Sequence, residues 1–156
     1  MLQSKSLFFD SLWLLIARSY LPASDLRPYI SGAVLSNALR SFSDAPWALW
    51  VDRIVASTLF LKMAVRAETE SQRLAIIFCA VSCAAMLFRS GDRVLHHMFH
   101  YTGFVALLLI AGKDLKWVCV NTVIYWGGIF MRSSGAAVTV AMLMSRCMTT
   151  DRDRLA

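Results

Sequence analysis

Apolar stretches alternate with short charged stretches along the chain and divide it into helical segments. The longest apolar runs cover 46–65, 74–88, 94–112 and 117–131, separated by RAETESQR, SGD and KDLK. Runs of this length and composition are typical of helices surrounded by lipid or by other protein. The pattern predicts an all-α integral membrane protein, with a bundle of about four transmembrane helices over 46–131.

The N-terminal region, residues 1–45, has a different pattern. Apolar side chains of its first helix gather on one face, and Asp10 and Arg18 lie off that face. This pattern predicts an amphipathic helix on a membrane surface. A mitochondrial presequence is the rival interpretation, which Asp10 disfavours. A short second helix is predicted over about 29–40.

The other boundaries follow from caps and loop charges. Asp44 before Pro46 is a suitable cap for the helix that begins there. The distribution of Lys and Arg among the loops favours four spans over five, with both termini on the positive side of the membrane. The sequence therefore predicts a C-terminal surface helix and polar tail over 132–156, and a single domain over 1–156.

The composition strengthens the membrane interpretation. The chain is 58% hydrophobic and only 17% charged, with a mean hydropathy of +0.56, whereas ordinary soluble domains are roughly 45–50% apolar. No secretory signal is evident, so the predicted location is an organelle membrane, with the mitochondrial inner membrane as the best candidate. The net charge of +6 comes from residues at segment ends, which indicates binding to anionic phospholipids rather than to nucleic acid.

Small residues mark the predicted helix contacts. Cys79 and Cys83 lie one turn apart in a stripe that also contains alanines, and Gly127 with Gly128 offers a second close approach. The four cysteines have no metal-type spacing. They are predicted to be reduced, buried thiols.

All three histidines lie in one stretch, DRVLHHMFHYTG, which runs into an apolar segment. At about 100° per residue, His96, His100 and His97 span one side of a helix. Arg93 falls between them. A polar stripe in an apolar segment is expected to face protein or water rather than lipid.

Four interpretations of this stripe stay open. It could ligate haem b, although the second axial ligand would then come from a methionine or a partner chain. His96 and His100 could share a metal ion, with Asp92 orienting His96 and Asp52 as a further ligand. Arg93 and a histidine could bind a quinone or an anionic phospholipid. Otherwise the histidines only bond to neighbouring subunits or head groups.

The stretch HMFHYTGFVALLLIAG resembles the first membrane helix of the cytochrome b subunit of succinate dehydrogenase. His100, Thr102 and Gly103 match the pattern of that family. His97 and Tyr101 stand where the family has the serine and arginine that it uses for quinone. The resemblance implies a haem or quinone site, and these two departures put the quinone contacts in doubt.

The functional prediction follows from these features. The sequence has no nucleophile–base pair, phosphate loop or carboxylate dyad, so we predict no catalysis by this chain alone. We expect a non-catalytic accessory subunit of a larger membrane complex, such as a mitochondrial respiratory or ATP synthase complex. Its partners would be other membrane subunits and phospholipids. The alternatives are a haem b- or quinone-binding membrane anchor of a redox complex, and a small transporter or channel.

Overall fold

Helices make up the regular structure of the chain. The computed structural model describes residues 2–21, 24–43, 45–88 and 93–154, with side chains at 8–21, 24–43, 45–85 and 94–146. Within these residues there are seven helices and no strands, which confirms the all-α prediction. The helices are α1 (Leu2–Ser19), α2 (Arg27–Phe42), α3 (Pro46–Arg66), α4 (Glu70–Phe88), α5 (Arg93–Ile110), α6 (Leu115–Phe130) and α7 (Ser134–Arg154).

The predicted transmembrane helices are not present. None of the helices, over the described residues, is both long and apolar enough to cross a membrane. A span needs about 20 apolar residues, or about 30 Å. Helix α3 is continuous, but the charged residues Asp52, Arg53 and Lys62 interrupt its apolar sequence. Helix α6 has only 16 residues. The predictions of an integral membrane protein, of four spans over 46–131 and of a mitochondrial inner-membrane location are therefore wrong.

Helix α1 lies inside the bundle and packs against α2, α5 and α7. Trp13, Ile16 and Ala17 are almost completely buried. The Trp13 ring meets Phe104 of α5 and Tyr125 of α6 edge-on, with centroids 5.2 and 5.1 Å apart. Such aromatic contacts stabilise beyond the area they bury. The prediction of a surface-lying N-terminal helix is wrong, because more than one face of α1 is covered.

Helix α5 is the second central element. Phe104, Leu107 and Leu108 are fully buried in the hydrophobic core. The helix packs against α4, α1, α3 and α6. Cys79 of α4 packs on this helix with its sulfur 3.6 Å from the carbonyl oxygen of Phe99. Four elements therefore converge on the helix that carries the histidines.

The two ends of the predicted domain also differ from expectation. Helix α7 packs against α6 and α1, with Val138 and Ala141 buried, so it is not a surface helix over 132–156. Helix α2 confirms the helix expected over about 29–40. The Asp44 cap lies outside the described residues.

Candidate functional site

Buried polar side chains from several helices surround the histidine-bearing face of α5. They include Asp10 of α1, Asn37 of α2, and His96 and His100 of α5, which are all at most 5% exposed. Burying a polar group is costly unless it is hydrogen-bonded or paired. We call these four residues, together with His97, the buried polar cluster.

Asp10 and His97 form the closest pair in the buried polar cluster. The Oδ2 atom of Asp10 lies 2.8 Å from Nδ1 of His97, at ion-pair distance, with poor alignment for a hydrogen bond. Burial raises the pKa of the Asp10 carboxyl group, and His97 partly offsets this shift. The Tyr125 hydroxyl group donates to the His97 carbonyl oxygen at 3.0 Å. Ser11, beside Asp10, donates to the Phe8 carbonyl oxygen, so its hydroxyl group is engaged within α1.

His96 and His100 stack on each other one turn apart, with ring centroids 4.6 Å apart. The Nε2 atom of His100 lies 3.5 Å from Nδ2 of Asn37, at the outer limit of a hydrogen bond. Burial, followed by the charge of Arg40, lowers the pKa of His96 to about 3. Burial also lowers the pKa of His100 well below its ordinary value. Both rings are therefore neutral near pH 7.

A second polar group borders this region. Asp52 of α3 pairs with Arg40 of α2 at 3.2 Å and accepts a hydrogen bond from Ser36 at 3.1 Å. Asp52 is therefore held in an interhelical ion pair with Arg40. Arg53, adjacent in sequence, instead lies over the Trp50 ring.

A small cavity of about 20 Å³ lies between Asp52 and His100. It is otherwise lined mainly by apolar side chains of α1, α2, α3 and α5, with Gly103 on its α5 side. A cavity of this size accommodates about one water molecule. A haem or quinone ring needs a pocket of roughly 300 Å³ or more. Gly103 itself is covered by Cys79, whose sulfur would lie 3.4 Å from an added Cβ.

The predicted site residues therefore fall into two groups. The structure brings His96, His97 and His100 together inside the bundle, and the stripe faces protein, as expected. The side chains of Arg93 and Asp92 lie outside the described residues. Among the described side chains, no group of three or more His, Cys, Asp or Glu could hold a metal ion. Ligation of haem, quinone or lipid by the histidines stays a prediction.

Sequence reasoning missed Asp10 and Asn37 as histidine partners. The amphipathic pattern of its neighbours puts Asp10 off the apolar face of a surface helix. The signal that could have found it is the run LFFDSLWLLI, in which one carboxylate interrupts apolar residues. A carboxylate that becomes buried requires a partner.

A different feature dominates the outside of the molecule. Large apolar side chains are exposed on α2, α3, α4, α6 and α7, and at the N-terminal end of α5. On α3 they recur at steps of three, four or seven residues along one side of the helix, and each is more than half exposed. We call this set the outer α3 face: Trp47, Trp50, Ile54, Leu61 and Val65.

Comparison of the chain with protein-family models, curated proteins and solved structures gives no match. The resemblance of HMFHYTGFVALLLIAG to the cytochrome b subunit therefore gains no support from these comparisons.

Proposed function

We propose that this protein is a non-catalytic accessory subunit of a larger protein assembly, held in place through the apolar outer surfaces of its helices. The observation that carries this proposal is the exposure of large apolar side chains on six of the seven helices, among the side chains that the structure describes. Protein subunits that work in an assembly bury such surfaces against their neighbours.

The size of the exposed surface supports the proposal. Trp47 and Trp50 are 56% and 61% exposed, and an aromatic side chain of this type buries roughly 150–250 Å² when covered. Ile54, Leu61 and Val65 extend the same apolar strip along α3. Monomeric proteins rarely expose contiguous apolar patches larger than a few hundred Å². A partner that covers this strip would gain roughly 25 cal/mol for each Å² removed from water.

The histidines do not carry this proposal. Asp10 and Asn37 of the same chain lie against them. The buried polar cluster is therefore satisfied in part by the protein's own helices. The proposal depends on the outer surface, and not on the histidines.

The experiment is to tag the chain at its native expression level and extract it gently. Its native size would be measured, and co-purifying proteins would be quantified. We expect migration far above the 17.5 kDa of the single chain, with a fixed set of partners at constant stoichiometry. Migration at 17.5 kDa, with no stoichiometric partner, would contradict the proposal.

A further inference from the structure

The outer α3 face is a continuous strip suited to a helical partner. From Trp47 to Val65 the strip is about 27 Å long, at 1.5 Å per residue. Its members lie within about 60° of one line along the helix, as expected for a face that packs on another helix. Thr58 fills the gap between Ile54 and Leu61, and donates to the carbonyl oxygen of Ile54 within the helix.

Cations border the strip on both sides. Lys62 lies about 85° from the centre line of the strip, and Arg53 lies about 95° from it on the other side. Each rests on an aromatic ring, of Tyr29 and Trp50 respectively, at 5.4 Å from the centroid. Such cation–π contacts leave the positive charge in place. Asp52, the only carboxylate of α3, is turned inward and pairs with Arg40.

The exposed face of α4 offers an internal comparison. It presents Leu74 and Ile77, both more than half exposed. The charges beside it, Glu70 and Arg73, pair with each other at 3.0 Å and are therefore balanced. Among the described side chains, the outer α3 face thus combines an apolar strip with two flanking cations that form no salt bridge, and Asp52, the carboxylate near Arg53, is paired with Arg40.

We propose that the outer α3 face binds an amphipathic helix of a partner protein whose apolar residues are flanked by aspartate and glutamate. This inference rests on the proposed function and names the chemistry of the partner. Carboxylates on the partner helix would lie beside Lys62 and Arg53, which steers encounter and fixes orientation. The net charge of +6 attracts an acidic partner from a distance in the same sense.

A second copy of this chain fits the strip less well. Two outer α3 faces brought together would bring Arg53 and Lys62 of each copy into the same contact region. Like charges across an interface disfavour association. An acidic partner helix avoids this repulsion. The positive charges beside the strip therefore favour an acidic helix over a second copy of this chain.

The test uses the full-length chain and two labelled helical peptides with identical leucine positions. One peptide has glutamate at the flanking positions, and the other has lysine. We expect the glutamate peptide to bind by fluorescence anisotropy, more weakly as salt increases. Ile54→Glu and Leu61→Glu should each weaken this binding by about thirtyfold, as for residues at the centre of an interface.

The matched controls are Ile77→Glu and Leu74→Glu, which place the same substitutions on the exposed face of α4. They should leave peptide binding unchanged, and circular dichroism should show all four variants folded. Equal binding of both peptides, equal losses in the α4 variants, or no binding of the glutamate peptide would overturn the inference. A dimer that Ile54→Glu dissociates, or binding to anionic lipid vesicles in place of the peptide, would also overturn it.

A native pull-down separates this inference from the proposed function. If the Ile54→Glu chain stays in its assembly and the Ile77→Glu chain leaves it, the subunit function stands and the α3 inference fails. If the unaltered chain migrates alone, the proposed function fails. Loss of the assembly only with Ile54→Glu supports both.

Discussion

At the scale of single residues, burial decides the chemistry of the histidine-bearing face. His96 and His100 are only 5% exposed, and Arg40 adds a positive charge nearby. Both effects disfavour the protonated ring. Burial disfavours the charged form of Asp10 as well, and it therefore raises the pKa of this carboxyl group. The cluster therefore holds two neutral rings, His96 and His100, and a carboxyl group, that of Asp10, whose pKa is raised.

This arrangement predicts a loss of stability in acid. The pKa of His96 is lowered to about 3 in the folded chain, against about 6.5 when unfolded. Between these values the unfolded chain binds a proton that the folded chain does not, so stability is complete above pH 6.5 and falls as the pH falls towards 3. The measurement is the free energy of unfolding in urea at pH 7.5 and at pH 4.5. We expect it to fall between these two pH values by about 2 kcal/mol less in His96→Gln than in the unaltered chain.

The comparison between variants matters because the raised pKa of Asp10 acts in the opposite direction over part of this range. Folding favours protonated Asp10, so this residue adds stability below its unfolded pKa and loses that contribution as the pH rises. Asp10 is present in both chains, so its effect cancels in the difference. Equal losses in the two chains would show that His96 is not held neutral by burial.

At the scale of helices, the contact between α6 and α7 illustrates how adjacent residues differ. A Cβ added at Gly128 would lie 2.4 Å from the Cβ of Ala137, whereas one added at Gly127 would meet nothing within 4 Å. The sequence predicted a close approach at this glycine pair. Only the packing of α7 shows that Gly128 alone needs to be glycine.

Gly128→Ala and Gly127→Ala should therefore have opposite effects on the free energy of unfolding. The first forces α6 and α7 apart, and should destabilise the protein by about 1–3 kcal/mol. The second removes the flexibility of a half-buried helical glycine that has open space beside it, and should stabilise by up to about 1 kcal/mol. Thermal or urea unfolding of both variants measures the difference. A similar change in both would show that α7 does not pack closely on Gly128.

At the scale of the whole molecule, the chain encloses two helices and leaves several apolar faces uncovered. Helices α1 and α5 are central, and α3 keeps one side open along most of its length. An accessory subunit with this distribution would gain its remaining burial from a partner. The open side of α3 is thus a property of the whole arrangement, and not of one residue.

Hydrogen exchange tests this arrangement directly. Amides of α1 should exchange among the slowest in the chain, because opening this helix exposes Trp13, Ile16 and Ala17. Amides on the open side of α3 should exchange faster. The measurement is mass-spectrometric exchange of the unaltered chain. If α1 exchanged as fast as a fraying surface helix, its central position would be wrong.

The sequence by itself determined that the chain is helical, because apolar spacing and charged turns constrain local structure without reference to distant residues. It also indicated that the histidines share one face and that this face points towards protein or water rather than lipid. It did not determine what surrounds the helices, since lipid, a partner and the chain's own core all favour apolar residues. The tertiary structure decided three features: the burial of α1, the pairing of Asp10 with His97, and the pairing of Asp52 with Arg40. These contacts join residues far apart along the chain, and only the packing of complete helices brings them together.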